Sequence, residues 1–350
     1  MKAVRRIFAV IVGFVFCVAG ILKLMDPVGA GLVVEEYLKF LHLGFMLPAS
    51  KALGLGMAIL ESLTGAALIT GVWRKVTGAV TGILLGFFTV LTFVLWMKNP
   101  EMDCGCFGEA IHLTHLQSLV KNLVLLVFWG IAFIPFRSCG QPPKVKYVSF
   151  TIAAISVLLF TLYSTLSIPL MDFTPFKPGV ELSCENGFAD EDSPVLSFSD
   201  MEGEYRDSLA TRGKVIVVSV YDPAGLDENN LENISSLFQD AVSEGFSPVL
   251  LSASQSATME KLSACPSLMS NCYFSDRRTL LTLNRSNGGA TLISDGQIIR
   301  KWAVRSLPEK EYFQDFMAMD ATEAMIDGAS ADRLRMQGFL LYIFAVMLLL

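Results

Sequence analysis

Five apolar runs occupy the first half of the chain, from about Ile7 to Leu24, Ala52 to Gly71, Val76 to Met97, Leu116 to Phe136 and Val148 to Ile168. Each is long enough to cross a hydrocarbon layer of about 30 Å, which takes roughly 18 or more apolar residues. A backbone in lipid must satisfy its own hydrogen bonds, so such runs fold as helices. The expected fold class is therefore mainly α, a polytopic membrane helical bundle. A sixth run, residues 336–350, is short for a full span and reads as a C-terminal membrane anchor.

Charge divides the chain at the end of the fifth run. Met1 to Met171 carries 13 Lys and Arg against 7 Asp and Glu, whereas the remainder carries 14 against 26. The connecting segments are more informative still. With the amino terminus in the cytoplasm, Lys2, Arg5, Arg6, Arg74, Lys75, Arg137, Lys144 and Lys146 all fall inside, and no acidic residue falls among them. The opposite loops hold Asp26, Glu35, Glu36, Glu101, Asp103 and Glu109. The positive-inside rule then places the soluble region after Asp172 outside the cytoplasm, on an inner membrane. Lys2, Arg5 and Arg6 before an apolar core also resemble a secretory signal, but the core runs on past Val18-Ala19-Gly20 into Ile21 and Leu22. An acidic outer half offers no basic face for a nucleic acid, so the expected partners are the lipid bilayer and an extracytoplasmic protein thiol or redox partner.

Between the third and fourth runs lies Asp103-Cys104-Gly105-Cys106-Phe107-Gly108. Two thiols one glycine apart, on the oxidising side of a membrane, suit the exchange of disulfides better than the holding of a fold. Cys104 and Cys106 are the candidate catalytic pair, with Asp103 tuning thiolate character. Glu61, near the middle of the second span, joins them as a proton carrier, because a charge there costs at least a few kcal/mol unless it is partnered or wet. Lys23 and Lys121, at the outer ends of the first and fourth spans, are its candidate partners. A metal site is the alternative, since Cys104 and Cys106 precede His112-x-x-His115, and His42 falls on the same side. Cys17 and Cys139 read as inert thiols. Gly78, Gly82 and Gly86 form a small-residue face for helix packing.

Phe16-Cys17-Val18-Ala19-Gly20-Ile21-Leu22-Lys23-Leu24, Tyr37, Leu60-Glu61-Ser62-Leu63-Thr64-Gly65, the Asp103 to Gly108 string and Lys121-Asn122 together resemble the MauE/DoxX group of redox-associated membrane proteins. The resemblance covers about the first 140 residues. It implies a four-helix membrane domain, residues 1–140, whose outward thiols make or transfer disulfides. Some members are linked to methylamine dehydrogenase maturation and others to quinone-coupled oxidation, so a membrane quinone is the implied cofactor. A fifth transmembrane helix, 141–171, follows.

Residues 172–192 read as a proline-rich linker and 193–325 as a soluble domain. Lys214 to Val220 is a buried-type strand, Asn229 to Gly245 a helix, Pro248 to Leu251 a second strand, and Ala290 to Trp302 a hairpin around Asp295-Gly296. The order βαβα then ββα resembles an α/β thioredoxin-like fold. Where a thioredoxin carries Cys-x-x-Cys stands Tyr221-Asp222-Pro223-Ala224-Gly225, and Gly288-Gly289 replaces the flanking proline. A docking domain is the better expectation. Cys265 and Cys272 are spaced for a structural disulfide, which leaves Cys184 unassigned. Three readings follow: a thiol–disulfide or quinone-linked oxidoreductase, a non-catalytic membrane scaffold, and a weaker transporter reading for which no inverted repeat is evident.

Overall fold

In a computed structural model the chain divides into two compact units, residues 1–165 and 166–334, with the end of the chain assigned to the first. The structure describes residues 2–100, 102–134, 142–169, 171–183, 193–262, 265–319 and 322–326, with isolated positions beyond 333. Cys139, Cys184 and most of the expected anchor at 336–350 lie outside the described residues.

The first unit is a helical bundle. Its helices are α1 (Lys2–Met25), α2 (Pro27–Phe40), α3 (Ser50–Thr70, continuing a 3-10 turn at Gly44–Ala49), α4 (Arg74–Lys98), α5 (His115–Phe133) and α6 (Lys144–Leu166). Five of these segments are long and apolar enough to cross a membrane, and they coincide with the five apolar runs. The chain is a multi-pass membrane protein. Ile83, Val90, Val127, Leu159 and Leu162 face outward, as lipid contact requires.

Helix α2 is the element that the hydropathy pattern did not reveal. Asp26 caps it, accepting from the Gly29 N–H at 2.9 Å, and Pro27 supplies the preset φ of a first turn. It is too short and too charged to span, with Glu35 and Lys39 paired at 2.7 Å along one face. It packs on α3, where an added Cβ at Gly54 would lie 2.8 Å from the Ala30 carbonyl oxygen.

Small residues set the closest approach in the bundle, but not only those expected. A Cβ added at Gly20 of α1 would lie 2.6 Å from the Ser62 nitrogen, and one at Gly65 of α3 would lie 2.6 Å from the Gly13 oxygen. Gly13, Gly20 and Gly65 thus let α1 and α3 touch backbone to backbone. Gly78 and Gly82 accommodate Phe133 and Trp129 of α5, and the Trp129 indole donates to the Gly78 carbonyl at 2.7 Å. A Cβ at Gly86 would meet nothing within 4 Å among the described residues.

The second unit is a five-stranded mixed sheet. Strands β2 (Lys214–Val220), β3 (Ser247–Ser252), β4 (Cys272–Phe274), β5 (Gly289–Ser294) and β6 (Gln297–Trp302) lie in the order β4-β3-β2-β5-β6. Central β2 runs parallel to β3 and antiparallel to β5, with Val217 opposite both Val249 and Thr291. On one face Ile216, Val218 and Val220 pack against Leu231, Ile234, Leu237 and Phe238 of α7 (Glu228–Ser243) and Phe313 and Phe316 of α11 (Lys310–Ala318). On the other, Val215 and Val217 meet Phe198 and, from α10 (Arg277–Leu283), Leu280 and Leu283. The remaining helices are α8 (Gln255–Leu262) and α9 (Pro266–Met269). Burial on both faces explains the unbroken β-branched run of β2. The hairpin turn sits at Asp295 and Gly296, with φ of 46° and 83°, the two left-handed residues of a type I′ turn. This is the thioredoxin-like architecture expected, with β4 and α10 as additions.

Two expectations need correction. The start of residues 172–192 is no free linker: Gly179 N–H donates to the Ile298 carbonyl at 2.7 Å, Ile298 N–H to Val180 at 3.0 Å and Leu182 N–H to Gly296 at 2.8 Å. Edge strand β6 has an open row of donors and acceptors, and this segment fills it. Asp172 is clamped to Lys301 at 2.5 Å, both mostly buried. Cys265 and Cys272, in turn, are free thiols. Backbone bonds such as Leu268 N–H to Cys265 O, at 3.1 Å, close their loop instead. Cys272 sits in the apolar core, which pushes its thiol up to about 12, so it is a small inert hydrophobe.

Candidate functional site

The Asp103 to Gly108 string folds back onto the bundle because its glycines permit it. Gly105 and Gly108 have φ of 53° and 64°, and the Gly108 N–H closes a turn on the Gly105 carbonyl at 3.2 Å. A short strand, β1 (Cys106–Glu109), continues from it. The Tyr37 hydroxyl of α2 donates to the Cys104 carbonyl and pins the loop from one side. Burial pushes the Tyr37 phenol up, which keeps that proton in place.

The two thiols are inequivalent. Cys104 is 3% exposed and Cys106 is half-buried. The hydrogen bond that Cys104 shares with Cys106, together with burial, raises the Cys104 thiol far above its ordinary range. The same bond brings Cys106 down to about 5, helped by Lys121 against the opposing effect of burial. Both effects favour the shared proton on Cys104 and the charge on Cys106. Lys121 also lies 4.7 Å from the Phe107 ring centroid.

Helix α5 supplies the face opposite the loop. Thr114 and Gln117 form a capping box, each side chain bonded to the other's backbone N–H, at 3.2 and 3.0 Å. The cap fixes where the first turn points. His115 Nδ1 then lies 3.5 Å from Cys104 Sγ, and its Nε2 lies 3.1 Å from the Pro100 carbonyl. Ser118, fully buried, has no partner within ordinary hydrogen-bond range among the described residues. Asn122 donates to Thr92 of α4 at 3.2 Å.

Below the loop, Glu61 is 2% exposed and Lys23 Nζ sits 2.8 Å from both of its oxygens. Of the two lysines open to Glu61, the structure selects Lys23, because α1 and α3 are in backbone contact. Lys121 turns to the thiols. A cavity of about 350 Å³ joins these groups. Its walls are mainly apolar, including Val15, Phe16, Val34, Leu85 and Phe88, with Lys23, Glu61, Lys121, Asn122 and both cysteines at its border.

The sequence-predicted site is therefore partly assembled. Cys104, Cys106 and Glu61 line one cavity, but Asp103 does not attend the thiols. Its carboxylate pairs with His112 at 3.0 Å on the surface. That pairing also breaks up the alternative metal set, and among the described residues no three His, Cys, Asp or Glu side chains converge as a metal site. Ser118 has no role in the sequence reading, and His115 enters it only as a candidate metal ligand. Their signal was present as a polar stripe His115, Ser118, Lys121, Asn122, at helical spacing in an otherwise apolar run.

Residues 1–135 match the family described as methylamine utilisation protein MauE. The membrane unit is a MauE-type domain. Joined to it is the thioredoxin-like domain. Protein TlpB of Flavobacterium psychrophilum is 23% identical over 210 residues, which cover 59% of this chain. The chain spans about half the length of that curated relative, since the match covers 50% of it. No solved structure matches the chain.

Proposed function

We propose that the MauE-type domain is a thiol–disulfide exchange centre, facing away from the cytoplasm, that serves extracytoplasmic protein partners. The observation that carries this reading is the asymmetry of the pair: Cys106 is half-buried at the cavity border with its thiol lowered, whereas Cys104 is buried with its thiol raised. Cys106 forms the mixed disulfide with a partner sulfur. Cys104 then attacks Cys106, closes the internal disulfide and releases the partner thiolate.

A membrane quinone suits the cavity as the longer-range acceptor. The apolar walls match a ring and its isoprenoid tail, the volume falls within the usual ligand range, and Lys121 and Asn122 are donors suited to a quinone oxygen. When bound, a quinone takes up two electrons and two protons. Glu61, with Lys23, holds a proton-exchanging group at the cavity border. If Glu61→Gln leaves thiol turnover unchanged at every pH, that residue is structural only.

The thioredoxin-like domain takes the docking role. Asn287 Oδ1 accepts from the Asp222 N–H at 3.0 Å and its Nδ2 donates to the Asp222 carbonyl at 2.7 Å, so the loop that would bear a redox motif is closed without a thiol. The test of the whole reading is to alkylate native membranes before and after reduction and titrate Cys104 and Cys106 against a thiol buffer. A reversible bridge with a potential above roughly −300 mV supports exchange. Full partner maturation in a Cys104→Ser, Cys106→Ser double variant leaves only the scaffold reading.

A further inference from the structure

The Pro100 carbonyl 3.1 Å from His115 Nε2 can only accept a hydrogen bond, so that nitrogen carries the hydrogen. In the neutral ring Nδ1 is then bare, with its lone pair directed at Cys104 Sγ 3.5 Å away. A buried thiol thus lies beside a bare nitrogen whose tautomer is fixed by the backbone. We propose that His115 is the proton acceptor for Cys104, the resolving thiol, a role that rests on the exchange reading above.

The step balances in both directions. When the dithiol reduces a partner disulfide, Cys106 is first joined to the partner sulfur. Cys104 S–H gives its proton to His115 Nδ1, and Cys104 Sγ attacks Cys106 Sγ. The Cys104–Cys106 bond forms, the bond from Cys106 to the partner sulfur breaks, and the partner leaves as thiolate with the electron pair. In reverse a partner thiolate attacks Cys106, Cys104 leaves, and imidazolium returns the proton to it. The Pro100 carbonyl, accepting from Nε2, stabilises the imidazolium in either direction.

The neighbouring ionisable groups leave this task to His115. On the loop, Asp103 is paired with His112 at 3.0 Å. On α5, Lys121 attends Cys106. On α2, Glu36 lies within electrostatic range of Tyr37, whose hydroxyl is spent on the Cys104 carbonyl. Lys23 on α1 is held by Glu61. Cys106 shares the Cys104 proton in the resting dithiol, but once it is joined to a partner it carries no charge to accept one. The acceptor is then needed most, because burial holds the proton on Cys104.

The experiment uses the full-length chain in lipid nanodiscs, reduced and then mixed with oxidised glutathione. Acid quenching and mass spectrometry follow the Cys106–glutathione adduct and its conversion to the internal disulfide between about pH 5 and pH 9. In His115→Gln the adduct is expected to form at the wild-type rate. Its resolution slows by roughly 10²-fold near pH 6, and the deficit shrinks as pH rises and hydroxide replaces the base. In His115→Ala added imidazole restores resolution. Resolution in His115→Gln that keeps the wild-type rate and pH profile overturns the proposal, as does a deficit equal at every pH and untouched by imidazole, which marks a merely structural role. A wild-type pair that never forms the adduct removes the exchange reading and this proposal with it.

Discussion

Replacing Lys121 with Met takes away the cation beside Cys106 while keeping the length of the side chain. A nearby opposite charge typically shifts a pKa by about 1–3 units, so a thiol at about 5 moves to near 6.5 for a shift of about 1.5. At pH 6 the thiolate fraction then falls from about nine-tenths to about a quarter. The rate hardly changes there, because a more basic thiolate is more nucleophilic: with a Brønsted slope of about 0.4–0.5, 1.5 units give about a 5-fold gain. The pH dependence separates the two effects. Near pH 4.5 Lys121→Met should react about 5-fold more slowly than wild type, and near pH 8, where both are ionised, about 5-fold faster. The assay is the reaction of Cys106 with 4,4′-dithiodipyridine, read by peptide mass spectrometry. Profiles that do not cross, or a wild-type midpoint at the ordinary thiol value of 9.0, would refute the argument. The same depression has a stability consequence. The folded value lies below the unfolded one, so the contribution is complete above about pH 9 and is lost as pH falls towards about 5.

Lys23→Met leaves the Glu61 carboxylate buried without its partner and should destabilise the bundle by about 3–5 kcal/mol, while the Lys23→Met, Glu61→Leu double variant recovers much of the loss. Thermal unfolding in detergent decides this, and a single variant as benign as the double one defeats it. Gly20→Val should cost about 1–3 kcal/mol or more, because its Cβ meets the α3 backbone, whereas Gly86→Val should be nearly neutral. Equal melting shifts in the two would mean that α1 and α3 are not in backbone contact. Lys301→Met should free the segment at residues 179–183, raising amide exchange at Gly179, Ile298 and Leu182 ahead of the central strands. Unchanged protection there would show that backbone pairing alone holds the segment.

Much of the architecture was legible before any coordinate. Span length and hydropathy are local properties, and Lys214 to Val220 announces a doubly buried strand by composition. Helix α2 escaped because Glu35, Glu36 and Lys39 interrupt its apolar pattern, and the docked segment at 179–183 escaped because pairing with an edge strand leaves no period of its own. In the site, the Cys104-Gly105-Cys106 motif and the buried Glu61 were evident from residue type alone. Asp103 was misread because neighbours in sequence need not be neighbours in space: its side chain turns outward to His112.

By itself the sequence determined five membrane helices, a charge asymmetry between their connecting loops, a second α/β domain without a Cys-x-x-Cys motif, and the presence of one Cys-Gly-Cys loop. Each of these follows from residue type and short-range period. Only the tertiary structure decided that Lys23 rather than Lys121 holds Glu61, that the Cys106 thiol is lowered and the Cys104 thiol raised, and that His115 faces the buried sulfur. Those choices depend on which helix faces meet, and Gly13, Gly20 and Gly65 fix that by letting α1 and α3 close to backbone contact. A pairing between side chains 38 residues apart, as in Lys23 and Glu61, is set by that packing and leaves no pattern along the chain.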